Sequence, residues 1–343
     1  MLPVMGARVS DLGEFGLIDR LLARLGDSGS DVVVGPGDDA AVVRVGASLM
    51  LATTDLLLEG VHFEIGLSSP SDVGWKALAV NVSDIAAMGG VPRFALVSVG
   101  APEATPSATL EEVYEGLGAC ARAFSVAVVG GDTVRSDRLI VSVAVVGEPG
   151  PDKVMVTRSG AVAGSAACVT GAIGGAAAGL ALLRAASNDP AAADLLARSP
   201  GLAETHRRPV PRVGEGLAAA RAGATAMIDL SDGLGRDAGH VCDASGVGVR
   251  LEARAVPLAD GVAETAGWTG ADPVLFALGG GDDYELLIAI PPERVEELRD
   301  SIAPTPLTAI GEFTAGPGAV LDRGDGRVER LESLGWDHFQ EDA

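Results

Sequence analysis

The chain has 343 residues, enough for two domains of ordinary size, and 48% of them are hydrophobic, which supports real cores and excludes general disorder. Its 47 acidic residues against 25 basic ones give a formal net charge of −22, which argues against nucleic acid and anionic membrane as partners, since both select basic surfaces. Lysine occurs only at Lys76 and Lys153, so a bound polyphosphate would have to meet much of its positive charge as metal ions.

In chain order, "MLPVMGARVSDLGEF" lacks the basic-then-apolar order of a secretory signal. "AVVRV" (41–45) and "LMLATTD" (49–55) predict strands, and "SDVGWKALAVNVSDIAAMG" (71–89) predicts a helix. "FALVSVG" (94–100) reads as a strand and "LEEVYEGLGACARAF" (110–124) as a helix. "VAVVGGD" (126–132) and "LIVSVAVVG" (139–147) read as strands again. "EPGPDK" (148–153) has the Pro/Gly content of a linker. A second αβ series follows: "ACVTG" (167–171), an Ala-rich helix, "ATAMIDLSDGLGRDAGHVC" (224–242), "GVGVRLEA" (246–253), "DYELLIAI" (283–290), "PPERVEELRDSI" (291–302) and "LTAIGEF" (307–313). The expectation is a two-domain α/β (α+β) protein, with domains 1–148 and 149–343 joined near residue 150.

Residues 159–183 carry no charge and are long enough to suggest a membrane span. Six of them are glycine and nine are alanine, and strong insertion drivers are few. A buried strand, a glycine turn and a helix is the expectation. The three cysteines, Cys120, Cys168 and Cys242, form no CxxC, which argues for buried thiols in a reducing cytoplasm.

Two nucleotide motifs fail. There is no GxxxxGK[ST]. "GPGDDA" formally fits G-x-G-x-x-A, but "AAVVRV" continues it as a strand, whereas a dinucleotide fingerprint must open a helix.

Carboxylates instead recur at odd places. Asp38 and Asp39 sit side by side in "GPGDDAA", and Asp55 ends a strand beside Thr53 and Thr54. Asp84 lies inside an otherwise apolar helix, with Asn81 three residues earlier on the same face. Asp132 follows "VAVVGG", Asp229 and Asp232 flank Ser231, and Asp282 and Asp283 follow three glycines. Each has an ordinary explanation as a turn former, helix cap or arginine partner. Together they need a common cause, because an unpaired buried carboxylate costs several kcal/mol or shifts its pKa. Hard divalent cations take oxygen ligands from carboxylates, hydroxyls and water while contacting phosphates. A Mg²⁺-laden site for phosphoryl transfer is the expectation, since that chemistry consists mainly of neutralising and aligning oxygens.

Ten stretches then add up to a resemblance. "GEFGLI" (13–18), "GPGDDAAVV", "TTDLLLEGVHF" (53–63), "WKALAVNVSDIAAMGG" (75–90), "LVSVGAP" (96–102), "GGDTVRSD" (130–137), "VTRSGA" (156–161), "IDLSDGL" (228–234), "GGGDDYELL" (279–287) and "GWDHF" (335–339) run in order over nearly the whole chain. In this the sequence resembles the thiamine-monophosphate kinases, in the superfamily of ATP-binding enzymes that includes aminoimidazole ribonucleotide synthetase. The resemblance implies phosphorylation of thiamine monophosphate by ATP, with several Mg²⁺ ions required. It also implies an N-terminal domain with a mixed sheet that binds ATP and Mg²⁺ and builds a homodimer, and a C-terminal domain that completes the cleft. By motif it implies a metal shell of Asp39, Thr53, Thr54, Asp55, Asp84, Asp132, Asp229 and Asp232, with Asp38 as the turn former. It implies ATP contacts at Gly131, Asp132, Arg158 and Ser231, with Tyr114 bordering the adenine. His62, Asp282 and Trp336 fall where the family holds the thiamine phosphate. At Asp282 the family often has glutamate, so this chain is one methylene shorter there.

The nucleophile so implied is a substrate phosphate oxygen, largely ionised at neutral pH because its second pKa is about 6, so no protein base is required. Arg158 is expected to stabilise the migrating group. Besides an inactive paralogue, which the presence of every expected acid disfavours, two alternatives remain open at this point. One is a superfamily relative with other ATP chemistry, although a selenophosphate synthetase needs a reactive residue near its N-terminus and no cysteine precedes Cys120. The other is a non-enzymatic acidic metal-binding protein, although no D-x-D-x-D-G loop is present.

Overall fold

The computed structural model describes residues 9–26, 29–331 and 334–336. The N-terminal part runs α1 (Gly13–Leu25), β1 (Val32–Val34), β2 (Ala41–Val45), β3 (Ser48–Leu58), α2 (Pro70–Ala87), β4 (Gly90–Ala101), α3 (Ser107–Ala123), β5 (Ala127–Arg135) and β6 (Ile140–Pro149). Its six strands form one sheet in the order β1-β2-β3-β6-β4-β5, antiparallel except where β5 joins β4. Period-2 alternation decides the two faces. Ala95, Val97 and Val99 are buried against α2 and α3, whereas Phe94 and Leu96 are half exposed on the other face. Nothing among the described residues covers that second face, and every residue of the edge strand β5 is exposed.

The C-terminal part runs β7 (Ala166–Thr170), α4 (Gly175–Ala185), α5 (Pro190–Arg198), α6 (Pro200–Arg207), α7 (Val213–Ala222), β8 (Ala226–Asp229), α8 (Leu234–Ser245), β9 (Gly248–Glu252), α9 (Val262–Thr269), α10 (Pro273–Gly279), β10 (Leu286–Ile290), α11 (Val295–Ser301), β11 (Leu307–Thr314), β12 (Gly318–Asp322) and β13 (Val328–Arg330). Seven strands form a sheet in the order β13-β12-β9-β11-β7-β10-β8, with only β12–β9 parallel. Both faces are covered. Leu287 and Ala289 pack with residues of α4, α8 and α10, while Leu286, Ile288 and Ile290 pack with residues of α7 and α11. That two-sided burial is why "LLIAI" is an unbroken apolar run. The uncharged stretch 159–183 becomes β7, a turn and α4, and no described helix is long and apolar enough to cross a membrane.

Helix α2 joins the two parts. Its N-terminus is set by a capping box, with Ser69 accepting from the Asp72 N–H and Asp72 accepting from the Ser69 N–H, and Pro70 follows at the first position. The helix is buried almost all round because the first sheet lies on one side and α7 on another. A Cβ on Gly216 of α7 would stand 2.1 Å from the Ala86 carbonyl oxygen, so only glycine permits this approach. Trp75 Nε1 donates to the Pro209 carbonyl at 2.8 Å, and Arg208 lies over the Trp75 ring. The polar residues of α2, Asn81 and Asp84, reach β3, which positions the site.

Candidate active site between the domains

Three segments deliver the central acids. The turn before β2 carries Asp39, α2 carries Asp84, and the last residue of β8 is Asp229. One carboxylate oxygen from each lies within 4.8 Å of the other two. Thr53 donates its hydroxyl hydrogen to Asp84, and the Asp55 N–H donates to Asn81 Oδ1 at 3.0 Å.

Burial sets the electrostatics. Desolvation pushes Asp39 up to about 7 against the pull of Arg158, and pushes Asp55 and Asp229 up to about 6. Asp84 is raised well above the carboxylate range, first by desolvation and then by Asp55 and Asp229. Arg158 answers part of this charge by donating from Nε and Nη2 to Asp39 Oδ1, at 3.1 and 2.6 Å. Asp38 holds the arginine in place, accepting from the Arg158 N–H and from the Asp39 N–H. Asp39 Oδ2 and Asp229 Oδ2 remain buried without a hydrogen-bond partner. Orphaned carboxylate oxygens in an all-oxygen donor set fit a hard dication such as Mg²⁺.

Asp232 belongs to a second group, with Asp237 and His240, again within 4.8 Å. Asp237 is buried and raised well above the usual range by desolvation and by Asp232. Sequence reasoning passed over Asp237 and His240; the signal was an acid and an imidazole three residues apart on one helix face.

A cavity of about 370 Å³ opens beside these acids, between the two domains. Asp55, His62 and Val80 line it from one side, and Ser231, Asp232, His206, Asp282, Tyr284 and Trp336 from the other. His62 Nδ1 accepts from the Leu58 N–H at 3.0 Å, which fixes the ring in its turn. Trp336 is held by its backbone, its N–H donating to the Asp232 carbonyl and its carbonyl accepting from Arg236. Asp282 pairs with Lys76 Nζ at 2.7 Å; burial pushes its carboxyl up, but Lys76, together with His206 and the Tyr284 hydroxyl, holds it below the usual range. Asp282 and Tyr284 both have positive φ, 69° and 51°, a costly backbone for non-glycine residues that concentrates at functional sites. Asp283 between them is structural: it accepts from the Gly174 and Ala176 N–H groups at the start of α4.

Four of the expected residues are not drawn into this cleft within one chain. Thr54 alternates to the sheet face opposite Thr53 and Asp55, and bonds the Val143 carbonyl. Gly131 and Asp132 lie on β5, exposed, with Asp132 accepting from the Thr133 N–H. A Cβ on Gly131 would come within 1.7 Å of the Val97 carbonyl, so strand packing alone requires glycine there. Tyr114 is exposed on α3. Conversely, Lys76, His206 and Tyr284 were not picked out as site residues from sequence, because no local pattern separates them from core polar residues.

Comparison with known proteins follows the same division. Residues 37–148 match the N-terminal domain of AIR synthase related proteins and residues 162–323 the C-terminal domain. The chain is 39% identical to a thiamine-monophosphate kinase of Mycobacterium tuberculosis, over 97% of this chain and 93% of that one. It is 36% identical to that of Aquifex aeolicus, over 97% and 100%. A solved structure of AaThiL complexed with AMPPCP and TMP superposes with a TM-score of 0.84 at 35% identity, covering 97% of this chain and 99% of that one.

Proposed function

The chain belongs to the thiamine-monophosphate kinase family of AIR synthase related proteins, and we propose that it transfers the γ-phosphoryl group of ATP to thiamine monophosphate, giving thiamine diphosphate and ADP. The observation that carries this reading is the Asp39–Asp84–Asp229 cluster with its orphaned oxygens, paired with Arg158 and next to Asp55, which itself lines an interdomain cavity. A relative of the same fold has been solved with AMPPCP and TMP, which supports the same pair of reactants here.

Mg²⁺ ions would be held by Asp39, Asp55, Asp84, Asp229 and Asp232, with Thr53, and would supply charge neutralisation for the reacting phosphates. The chain's own residues do the positioning. In this reading Arg158 turns from Asp39 to the migrating phosphoryl group, and Ser231, which lines the cavity, contacts ATP. His62, Asp282 and Trp336 hold the thiamine portion. The attacking oxygen is the substrate's own phosphate, ionised near neutral pH, so no side chain has to remove a proton.

A second copy of the chain is proposed to cover the open sheet face. Phe94, Leu96, Val129 and Val134 expose about half of their surface there, next to an unpaired edge strand, which monomers rarely tolerate. Pairing across that face would bring Thr54, Gly131 and Asp132 into a shared ATP site. The cytoplasm is the proposed compartment, consistent with three buried free cysteines.

The test is direct. Purified protein incubated with Mg-ATP and either thiamine monophosphate or free thiamine should form thiamine diphosphate from the monophosphate alone. ADP release without that product would overturn the assignment in favour of another ATP-using relative.

A further inference from the structure

His206 ends α6 and lines the cavity, yet it is only 4% exposed. Its Nδ1 atom has no hydrogen-bond partner. A buried polar atom left unsatisfied is costly, so a ligand is the natural partner for one that borders a cavity. The nearest carboxylate oxygen, Asp282 Oδ2, stands 3.8 Å away, too far for a bond. The two groups therefore lie side by side without joining.

Asp282 is anchored for a reason other than His206. Lys76 Nζ holds Oδ2 at 2.7 Å and the Tyr284 hydroxyl donates to Oδ1 at 3.2 Å. A third of the Asp282 side chain stays open, so the carboxylate can still accept from a ligand. Lys76 cancels the charge of Asp282, and His206 adds none: desolvation, and next to it Lys76, hold the imidazole down at about 4. Arg184 also lines the cavity, paired with Glu64 at 2.9 Å, and Arg207 acts on His206 as well, so the group around His206 carries no excess of negative charge, unlike the acids Asp55 and Asp232 of the same lining. Metal belongs beside those acids, whereas the unpartnered Nδ1 of His206 next to an anchored carboxylate suits a polar ring edge that both accepts and donates.

We propose that His206 is a specificity-determining residue, its Nδ1–H and the Asp282 carboxylate forming a donor–acceptor pair that takes the amidine edge of an aminopyrimidine. The ring nitrogen accepts from His206 Nδ1 and the adjacent amino group donates to Asp282 Oδ2. This rests on the proposed substrate, thiamine monophosphate, whose pyrimidine carries such an edge.

The experiment measures steady-state kinetics with thiamine monophosphate and with the analogue in which the pyrimidine amino group is replaced by hydrogen. For His206→Ala, KM for thiamine monophosphate should rise about ten- to hundredfold with kcat and KM for Mg-ATP unchanged, and discrimination against the analogue should collapse. His206→Asn places an amide N–H near the Nδ1 position and should stay close to wild type, whereas His206→Gln places it near Nε2 and should behave like alanine. Should the alanine variant fail to fold, the asparagine–glutamine pair carries the comparison. The proposal is overturned by an unchanged KM in His206→Ala, by equal losses with both substrates, or by equal losses in the asparagine and glutamine variants. A wild type that makes no thiamine diphosphate would refute the assigned reaction itself, a distinct outcome.

Discussion

Arg158 gives two hydrogen bonds to one oxygen of Asp39 and none to the other, so half of a buried carboxylate is left facing Asp84 and Asp229. Before any metal binds, the guanidinium is the counter-charge that lets the acids coexist, which is why Asp39 and Asp229 raise the affinity of Arg158 for its proton. Arg158→Ala should destabilise the metal-free protein by roughly 3 kcal/mol, because it strands a buried charge. Millimolar Mg²⁺ should recover most of that loss, since the cation replaces the missing charge without replacing the arginine's role on the phosphoryl group. Urea unfolding with EDTA and with Mg²⁺ measures both; equal destabilisation in the two conditions would contradict the counter-charge role.

Asp84 makes the opposite prediction. Its carboxyl is raised by desolvation and by like-charged neighbours, so the metal-free fold carries it at a cost. Asp84→Asn keeps an acceptor for the Thr53 hydroxyl and removes the charge. Thermal unfolding in EDTA should show a variant at least as stable as wild type, with the Mg²⁺-induced rise in Tm reduced. Turnover should fall more than about a hundredfold, the usual sign of stability given up for function. A variant that melts lower in EDTA and still responds fully to Mg²⁺ would place Asp84 in a structural role.

The strand–helix alternation of the N-terminal domain was legible because apolar runs of strand and helix length, β2 to β6 with α2 and α3, lie between Gly and Pro breaks. Asn81 and Asp84 stood out because polar residues at helical spacing interrupt an apolar helix. Helix α7 was not legible: "VGEGLAAARA" has small residues on every side, and its buried face is defined only by the close approach to α2. The Arg158–Asp39 pair spans 119 residues of chain, and no local pattern announces such a contact. His206 and Lys76 were hidden for the same reason, being polar residues whose meaning depends on Asp282 arriving beside them. Adjacent Thr53 and Thr54 looked equivalent in sequence, but strand alternation sends them to opposite faces.

The α2–α7 contact that aligns the domains depends on a missing methyl group. Gly216→Ala sets a Cβ 2.1 Å from the Ala86 carbonyl oxygen and forces the helices apart. Alanine's better helix propensity, about 1 kcal/mol, should be outweighed by overpacking of about 1–3 kcal/mol. Gly214 lies in the same helix with nothing within 4 Å of its Cβ position, so Gly214→Ala is the control and should be neutral or stabilising. Circular-dichroism melts should separate the two, and only Gly216→Ala should also lower kcat, because α2 carries Asp84. Matching behaviour of both variants would mean that the contact is loose in solution.

Asp283 supplies a pH dependence independent of metal. Burial raises its carboxyl from 3.8 to about 7, although the Gly174 and Ala176 N–H groups favour the charged form. The folded state therefore holds a proton that the unfolded chain releases near pH 4. The resulting stabilisation is complete below pH 4 and is lost as pH rises through 7. Asp283→Asn is neutral throughout and keeps one acceptor for the α4 N-terminus. Between pH 5 and pH 8.5 in EDTA, wild type should lose roughly 2–3 kcal/mol more unfolding free energy than the variant. The remaining acids titrate in both proteins and cancel in that difference. Denaturant titrations at the two pH values test it; parallel stability curves would show that Asp283 is already ionised at pH 5, with its backbone donors outweighing its burial.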